Sequence, residues 1–198
     1  MSEGGGPLYG VIVLAAGSST RLGQSKQLLL IDGESLVHRA VRFGMETGPA
    51  DCVVICGAKP DQIEQVVADL DCRCLPCPDH ERGMSASLRL GLQALDPSCS
   101  AALVVLTDQP ALDARHLCKL RDRWRARPEQ AVASGYAGTI GVPAMIPRSW
   151  FAAIQSEHGD RGARELLRTR SDEVAVITAE QLAQDIDEPE DLSRLDPG

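Results

Sequence analysis

Aromatic residues are scarce: two Trp, two Tyr and two Phe in 198 residues leave too little ring surface for a platform on which single-stranded nucleic acid could stack. Positive charge is short as well. Twenty Lys and Arg stand against 28 Asp and Glu, a net charge of −8, whereas a surface for nucleic acid or anionic membrane needs the opposite balance on one face. Any phosphate must therefore be held locally. No apolar run approaches the roughly 20 residues that cross a bilayer, and Met1 to Pro7 lacks the basic and apolar regions of a signal peptide. These absences predict a cytoplasmic protein with neither nucleic acid nor membrane as a partner. The common phosphate motifs are missing too, since neither GxxxxGK(S/T) nor GxGxxG occurs. Cysteine is present but odd in number: seven, with no secretory signal, predict free thiols rather than a disulfide framework. Cys72, Cys74, Cys77 and His80 have partly zinc-like spacing, yet they do not form paired CxxC motifs, and Cys72 and Cys74 would share one face of a short strand. Plain thiols are favoured over a structural metal.

What is present fits one globular domain. Hydrophobic residues make up 43% and charged residues 24%, near the globular average, and a fold of this length buries roughly 70% of the surface its unfolded chain exposes. Segments of strand length alternate with segments of helical period. Val11–Leu14, Cys52–Ile55 and Ala101–Leu106 are continuous apolar runs, the pattern of parallel strands covered on both faces. Between and after them, Val37/Ala40/Val41/Met45, Ile63/Val66/Val67/Leu70, Met84/Leu88/Leu92/Leu95 and Leu117/Leu120/Trp124 recur at helical spacing. Beyond Pro128 the pattern loosens into a turn-rich stretch from Gly135 to Pro147, helical segments near Ser149–Ser156 and Asp160–Arg168, and a strand at Val174–Ile177. The prediction is a single-domain, Rossmann-like, three-layer α/β/α sandwich with a mostly parallel sheet over residues 10–198, preceded by a flexible leader over 1–9.

In such sheets ligands bind outside the carboxyl ends of the strands, so the polar residues just after each strand are the candidates. The first loop, LAAGSSTRLGQSK from Leu14 to Lys26, combines Gly17 and Gly23, which permit a tight turn and close backbone approach, with hydroxyls at Ser18, Ser19 and Thr20 and two positive charges at Arg21 and Lys26. That is the composition of a triphosphate cradle. Thr107-Asp108-Gln109-Pro110 follows the most apolar strand and brings a carboxylate to the same crevice, where it suits a magnesium ion or, alternatively, the turn that Pro110 enforces. Asp187 and Glu190 in DIDEPEDL have the form of a capping box with Pro189 in the first turn, so spacing alone makes this a helix start. Gly83-Met84-Ser85-Ala86-Ser87 opens a helix whose free backbone donors could receive nucleotide oxygens, or Ser85 could simply be a cap. None of His38, His80, His116 or His158 sits in a motif that suggests acid–base work.

LAAGSSTRLGQSK, TDQP, the GDRGAR run from Gly159 to Arg164, and DIDEPEDL, in this order, resemble the molybdenum cofactor cytidylyltransferases and their guanylyl relatives over nearly the whole chain. The first motif is shared with many sugar-phosphate and isoprenoid nucleotidyltransferases; TDQP with GDRGAR narrows the resemblance to the cofactor branch. It implies a Mg2+-dependent transfer of a nucleoside monophosphate from a triphosphate to a molybdopterin-type acceptor, with a molybdoenzyme receiving the product. It further implies Asp108 and Asp187 as metal ligands, and Arg21, Lys26 and Asp108 as catalytic groups. The nucleotide would be bound by Leu14, Ala15, Ala16, Gly17, Ser18, Ser19, Arg21, Lys26, Gly83, Ser85 and Ser87, and the acceptor by Asp160, Arg161 and Arg164. Guanylyl members tend to carry glycine where this chain has Ala16 and cytidylyl members alanine, whereas Leu14 matches the guanylyl pattern; on balance CTP is the expected donor. Transfer to another phosphorylated small molecule, and a nucleotide-binding chaperone of a molybdoenzyme, are the alternatives.

Overall fold

Apolar runs with no polar interruption have no face to offer water, and in the computed structural model of the chain, which describes residues 6–17, 25–156 and 162–184, they become the central strands of a seven-stranded sheet. In chain order the elements are β1 (Tyr9–Ala15), a two-stranded hairpin of β2 (Leu30–Ile31) and β3 (Glu34–Ser35), α1 (Leu36–Glu46), β4 (Asp51–Cys56), α2 (Pro60–Val66), β5 (Arg73–Pro76), α3 (Met84–Ala94), β6 (Ala101–Leu106), α4 (Ala114–Ala126), β7 (Ala131–Tyr136), β8 (Thr139–Pro147), α5 (Phe151–Ser156), α6 (Gly162–Thr169) and β9 (Val174–Thr178). The strand order is β5-β4-β1-β6-β8-β7-β9, and only β8 runs antiparallel to its neighbours. Alternate side chains of each strand point to opposite faces. Val11 and Val13 therefore pack with Val41 of α1, Ile63 of α2 and Leu117 of α4. Ile12 and Leu14 pack with Leu88 of α3, Ile154 of α5 and Leu167 of α6. The result is the three-layer α/β/α sandwich.

Helix starts follow their caps. The Ser35 hydroxyl accepts from the His38 amide at 3.3 Å ahead of α1, the Asp113 carboxylate accepts from the His116 amide at 2.6 Å ahead of α4, and Pro60 opens α2. The apolar period after α2 continues to Leu70, but the helix stops at Val66 and Val67 leaves helical geometry at φ −105°. Asp69 and Asp71 would bring negative charge to a helix carboxyl end, which the macrodipole opposes.

Two expectations need correction. The stretch from Gly135 to Pro147 is not a turn-rich loop but the end of β7 and all of β8, joined by a two-residue turn at Ala137 (φ 49°) and Gly138 (φ 68°), the left-handed pair that a tight hairpin requires. Its Gly and Pro residues read as breakers because a register shift falls between Ala133 and Ser134, where β8 carries Val142 and the cis-linked Pro143. The expected leader over 1–9 gives way to β1 at Tyr9. Tyr9 heads β1 and is buried, its hydroxyl donating to the Thr47 carbonyl at 2.5 Å and its ring meeting Trp124 edge-on at 5.7 Å. Residues 1–5 lie outside the described residues. Among the described residues no helix is long and apolar enough to cross a membrane.

A charged network ties α1 to the segment after α2. His38 bonds Glu34 through Nδ1 at 2.7 Å and Asp69 through Nε2 at 3.2 Å, and Arg42 holds Glu34 with two bonds of 2.7 and 2.8 Å. The Arg42 guanidinium is the main reason the Glu34 carboxyl is held down to about 2. Burial opposes charge on His38, but the bonds to Glu34 and Asp69 outweigh it and raise its pKa. A histidine whose folded-state pKa is raised contributes stability that is complete below its unfolded value of about 6.5 and is lost as pH climbs through the folded one. The urea midpoint of the unaltered protein relative to His38→Gln is therefore expected to fall from about pH 6 to about pH 8, and a constant difference between the two proteins would remove His38 from the charge network.

Candidate active site

β1, β4 and β6 pair in parallel with Ala15 beside Cys56 and Leu14 beside Leu106, so the three loops that follow emerge side by side at one edge of the sheet. The Thr107 hydroxyl donates to the Leu14 carbonyl at 3.5 Å. Gly57 lies so close to the first loop that a Cβ there would sit 2.9 Å from the Ala16 carbonyl oxygen and 3.1 Å from its Cα; only glycine lets β4 support the loop at this distance. Leu14, Ala15 and Ala16 are buried where the loop leaves β1. The loop is closed by a residue that sequence reasoning passed over. Gln27, in a short 3-10 turn over Lys26–Leu28, is buried, donates from Nε2 to the Gly17 carbonyl at 2.8 Å and accepts from the Ser25 hydroxyl at 2.8 Å.

The same turn delivers Lys26 to Asp108. Nζ lies 3.5 Å from Oδ2, with 13% and 29% of the two side chains exposed. The other carboxylate oxygen, Oδ1, is buried and has no hydrogen-bond partner among the described residues. Leaving such a group unsatisfied costs on the order of 1–3 kcal/mol, and a hard divalent cation would satisfy it. The donor set thus fits a metal that takes one protein carboxylate here and oxygens from phosphate or water elsewhere. Among the described residues no three His, Cys, Asp or Glu side chains gather to hold a metal by themselves. Asp187, together with Ser18, Ser19, Arg21, Asp160 and Arg161, lies outside the described residues.

Gln109, the neighbour of Asp108 in TDQP, carries no role in the sequence reading, and the structure gives it one. It is buried, and its Nε2 donates to the Val142 carbonyl of β8 at 3.2 Å and to the Leu182 carbonyl at 3.4 Å, in the 3-10 turn over Glu180–Ala183. Register places Val142 at the level of Leu106, because Val104 pairs with Ala144, so Gly141 and Val142 reach the same edge as Asp108. Arg164 of α6 is exposed and lies over Gly141, its Nε 3.7 Å from where a Cβ on that glycine would be. The helix start at α3 is capped by Gly83 itself, at φ 98° and ψ 177°, not by Ser85. Ser85 and Ser87 are 1% and 2% exposed, so this segment offers a ligand mainly the backbone around Gly83. A hollow of about 340 Å3 bordered by Tyr9, Gly48 and Arg125 opens at the opposite edge, where β1 begins, and takes no part in this site.

Residues 11–174 match the pattern of the MobA-like NTP transferase domain. The chain is 27% identical to the purine catabolism protein PucB of Bacillus subtilis over 93% of this chain and 94% of that one. It is 29% identical to a probable molybdenum cofactor guanylyltransferase of Synechococcus elongatus over 70% and 74% of the two chains. Its fold superposes on the crystal structure of Rv0371c from Mycobacterium tuberculosis with a TM-score of 0.84 at 25% identity, covering 98% of this chain and 100% of that one; another structure of that protein is a complex with manganese, matching with a TM-score of 0.78 at 22% identity over 95% and 97%.

Gln109→Ala should uncouple the Leu182 turn from the strand edge while leaving the central ladder intact. Amide exchange is expected to accelerate in Ala179–Ala183 and to stay slow in β1, with a loss of global stability of about 1–3 kcal/mol. Equal acceleration in both segments would mean that Gln109 supports the whole core and is no specific tie.

Proposed function

The chain belongs to the MobA-like NTP transferase domain family and is a nucleotidyltransferase, and from that premise we propose that it transfers CMP from CTP to the phosphate of a molybdopterin-type molybdenum cofactor with magnesium, releasing pyrophosphate. The observation that carries the reading is the Lys26–Asp108 pair at the mouth of the glycine loop, with Asp108 Oδ1 left without a hydrogen bond. The cyanobacterial guanylyltransferase relative supports the acceptor class.

In this mechanism a terminal phosphate oxygen of the acceptor attacks the α-phosphorus, a P–O bond forms, and the bond to pyrophosphate breaks. The acceptor needs no strong base, since a second phosphate pKa near ~6 leaves it ionised at neutral pH. The protein's task is to bring two anions together and to stabilise the departing one. Lys26, with Arg21, offsets charge on the triphosphate. Asp108, with Asp187, would hold magnesium, whose charge shields phosphate oxygens when it is bound. Backbone donors along Leu14–Gly17, the hydroxyls of Ser18 and Ser19, and the Gly83–Ser87 segment orient the nucleotide. Arg161 and Arg164, with Asp160, receive the acceptor, and Arg164 beside Gly141 supports that assignment. A molybdoenzyme would take up the product.

Preference for CTP rests on Ala16. Its backbone is held against Gly57, so the loop has little room to retreat from a larger base, and a methyl group in a pocket is worth ~1–3 kcal/mol. A second reading keeps the chemistry and changes the acceptor to another phosphorylated small molecule. It is favoured by the match to PucB, which spans more of this chain than the guanylyltransferase match does.

Pyrophosphate release with molybdopterin, magnesium and each common triphosphate tests both readings. The expected result is turnover with a higher kcat/KM for CTP than for GTP, by about 10-fold or more, narrowed by Ala16→Gly. Equal use, or a preference for GTP, would sink the cytidylyl assignment alone; turnover only with a different phosphorylated acceptor would select the second reading. In the same assay Asp108→Ala should lose at least ~100-fold in turnover while its unfolding midpoint stays near that of the unaltered protein. Near-normal turnover in the folded variant would remove Asp108 from the metal site.

A further inference from the structure

Lys26 belongs to a turn too short to hold itself. The 3-10 turn over Lys26–Leu28 has two backbone hydrogen bonds, donated by the Leu28 amide to the Ser25 carbonyl at 3.0 Å and by the Leu29 amide to the Lys26 carbonyl at 3.1 Å, and the flanking residues Ser25 and Leu29 are already extended. A single turn fixes more backbone angles than its hydrogen bonds offset, so its place must come from contacts outside it. The far end has them. Leu28 packs against the core cluster that includes Val37 and Val41 of α1, Leu29 is buried, and the Leu36 amide donates to the Leu29 carbonyl at 2.9 Å. The near end, where Lys26 stands, has the side chain of Gln27. It is buried, its Nε2 donates to the Gly17 carbonyl at 2.8 Å, and its Oε1 accepts from the Ser25 hydroxyl at 2.8 Å. The second bond orients the first: with Oε1 occupied by the hydroxyl, the donor end of the amide faces Gly17. A Cβ on Gly17 would lie 3.4 Å from that nitrogen, so the amide rests directly against the loop backbone. Gly17 in turn follows Ala16, whose backbone is held against Gly57. A line of contacts therefore runs from the end of β4 through Ala16 and Gly17 to Gln27, and one peptide bond further is Lys26, with Nζ 3.5 Å from Asp108 Oδ2.

We infer that Gln27 is a positioning residue for the transfer reaction: by holding the Gly17 carbonyl, its amide sets where Lys26 stands relative to Asp108 and to the triphosphate. The inference rests on the function proposed above, in which the charge of Lys26 acts on the triphosphate. The residue type suits the task, because glutamine carries a donor and an acceptor at the end of one side chain. Glutamate would turn a second acceptor toward the Gly17 carbonyl, and methionine would keep the length without either bond. Placement of the backbone matters for Lys26 in particular, since the ammonium sits on a flexible four-carbon stem and is only as well placed as the turn that carries it. A misplacement of about 1 Å at a reacting centre can cost on the order of 100-fold in rate.

The chain has three lysines; the Lys26 side chain is largely buried, whereas Lys59 and Lys119 are exposed. Labelling of the full-length protein with an amine-reactive acylating reagent, read site by site by mass spectrometry, therefore reports the placement of Lys26 against two internal references. Lys26 should react most slowly of the three in the unaltered protein. In Gln27→Met its rate relative to Lys59 and Lys119 should rise severalfold, and in Ser25→Ala by less, because the amide keeps its bond to Gly17. An unchanged Lys26 rate in folded Gln27→Met would overturn the proposal; should that variant fail to fold, Ser25→Ala decides on the same measurement, a rate equal to that of the unaltered protein overturning it. Labelling uses no substrate, so it decides the placement of Lys26 even where the unaltered protein releases no pyrophosphate, the outcome that would overturn the proposed function instead. In the pyrophosphate assay Gln27→Met should lose about 10- to 100-fold in kcat and should cost little more in a Lys26→Ala background, since two residues that act through one cation are not additive. Equal losses in the two backgrounds would make Gln27 a support of the fold alone.

Discussion

Backbone groups in β1 have no route to water. All seven residues of the strand are buried, both faces are covered by helices, and parallel neighbours flank it on each side, so each peptide N–H and C=O must find its partner in the ladder. That requirement aligns β4, β1 and β6 in one register and removes polar side chains from the interior. Charge can enter only where the ladder ends, and because the strands are parallel their ends coincide. Lys26, Asp108, Gly57 and the loop from Ala16 meet at this edge for that reason, although they come from segments far apart in the chain.

The reversed strand β8 poses a different problem at the same edge. Its register shift leaves the carbonyls of Val142 and Pro143 out of the regular ladder, and buried side chains take over the missing donors. Val142 receives Gln109 and the Tyr136 hydroxyl, the latter at 2.9 Å. Pro143 receives the Ser134 hydroxyl at 2.7 Å, and His116 in turn donates from Nε2 to that same hydroxyl at 2.7 Å. Burial lowers the His116 pKa, consistent with a neutral ring that serves as a strut. The irregular strand is thus held by a small set of buried polar groups, one of which, Gln109, adjoins the metal-binding candidate Asp108.

Periodicity was enough to read most of the fold. The apolar runs at Val11, Cys52 and Ala101 and the 3.6-residue spacing of α1, α3 and α4 reflect burial, which leaves a direct trace in residue type. That Lys26 and Asp108 come together at the strand ends was legible because polar residues directly after buried strands have few places to go. Gln27 and Gln109 were not, since a glutamine that closes a loop is chemically the same as one in solvent and reveals its role only through long-range partners. The β7–β8 hairpin was hidden by the glycines and prolines that its turn and register shift require. Cys77, close to Cys72 and Cys74 in sequence, falls in the core on the opposite face of the sheet, because strand pairing, which no local pattern encodes, decides which cysteines share a face.

The scarcity of aromatic residues has a practical side. Trp124 is packed in the layer formed by α1, α2 and α4, with its indole N–H donating to the Pro128 carbonyl at 3.0 Å. Trp150 is packed in the opposite layer, with the Arg170 guanidinium 5.0 Å from its ring centre. These are the two tryptophans of the chain, so intrinsic fluorescence carries one reporter for each side of the sheet. Single Trp→Phe variants would give each layer its own optical signal, and coincident denaturation curves from the two would show that the sandwich comes apart as one cooperative unit.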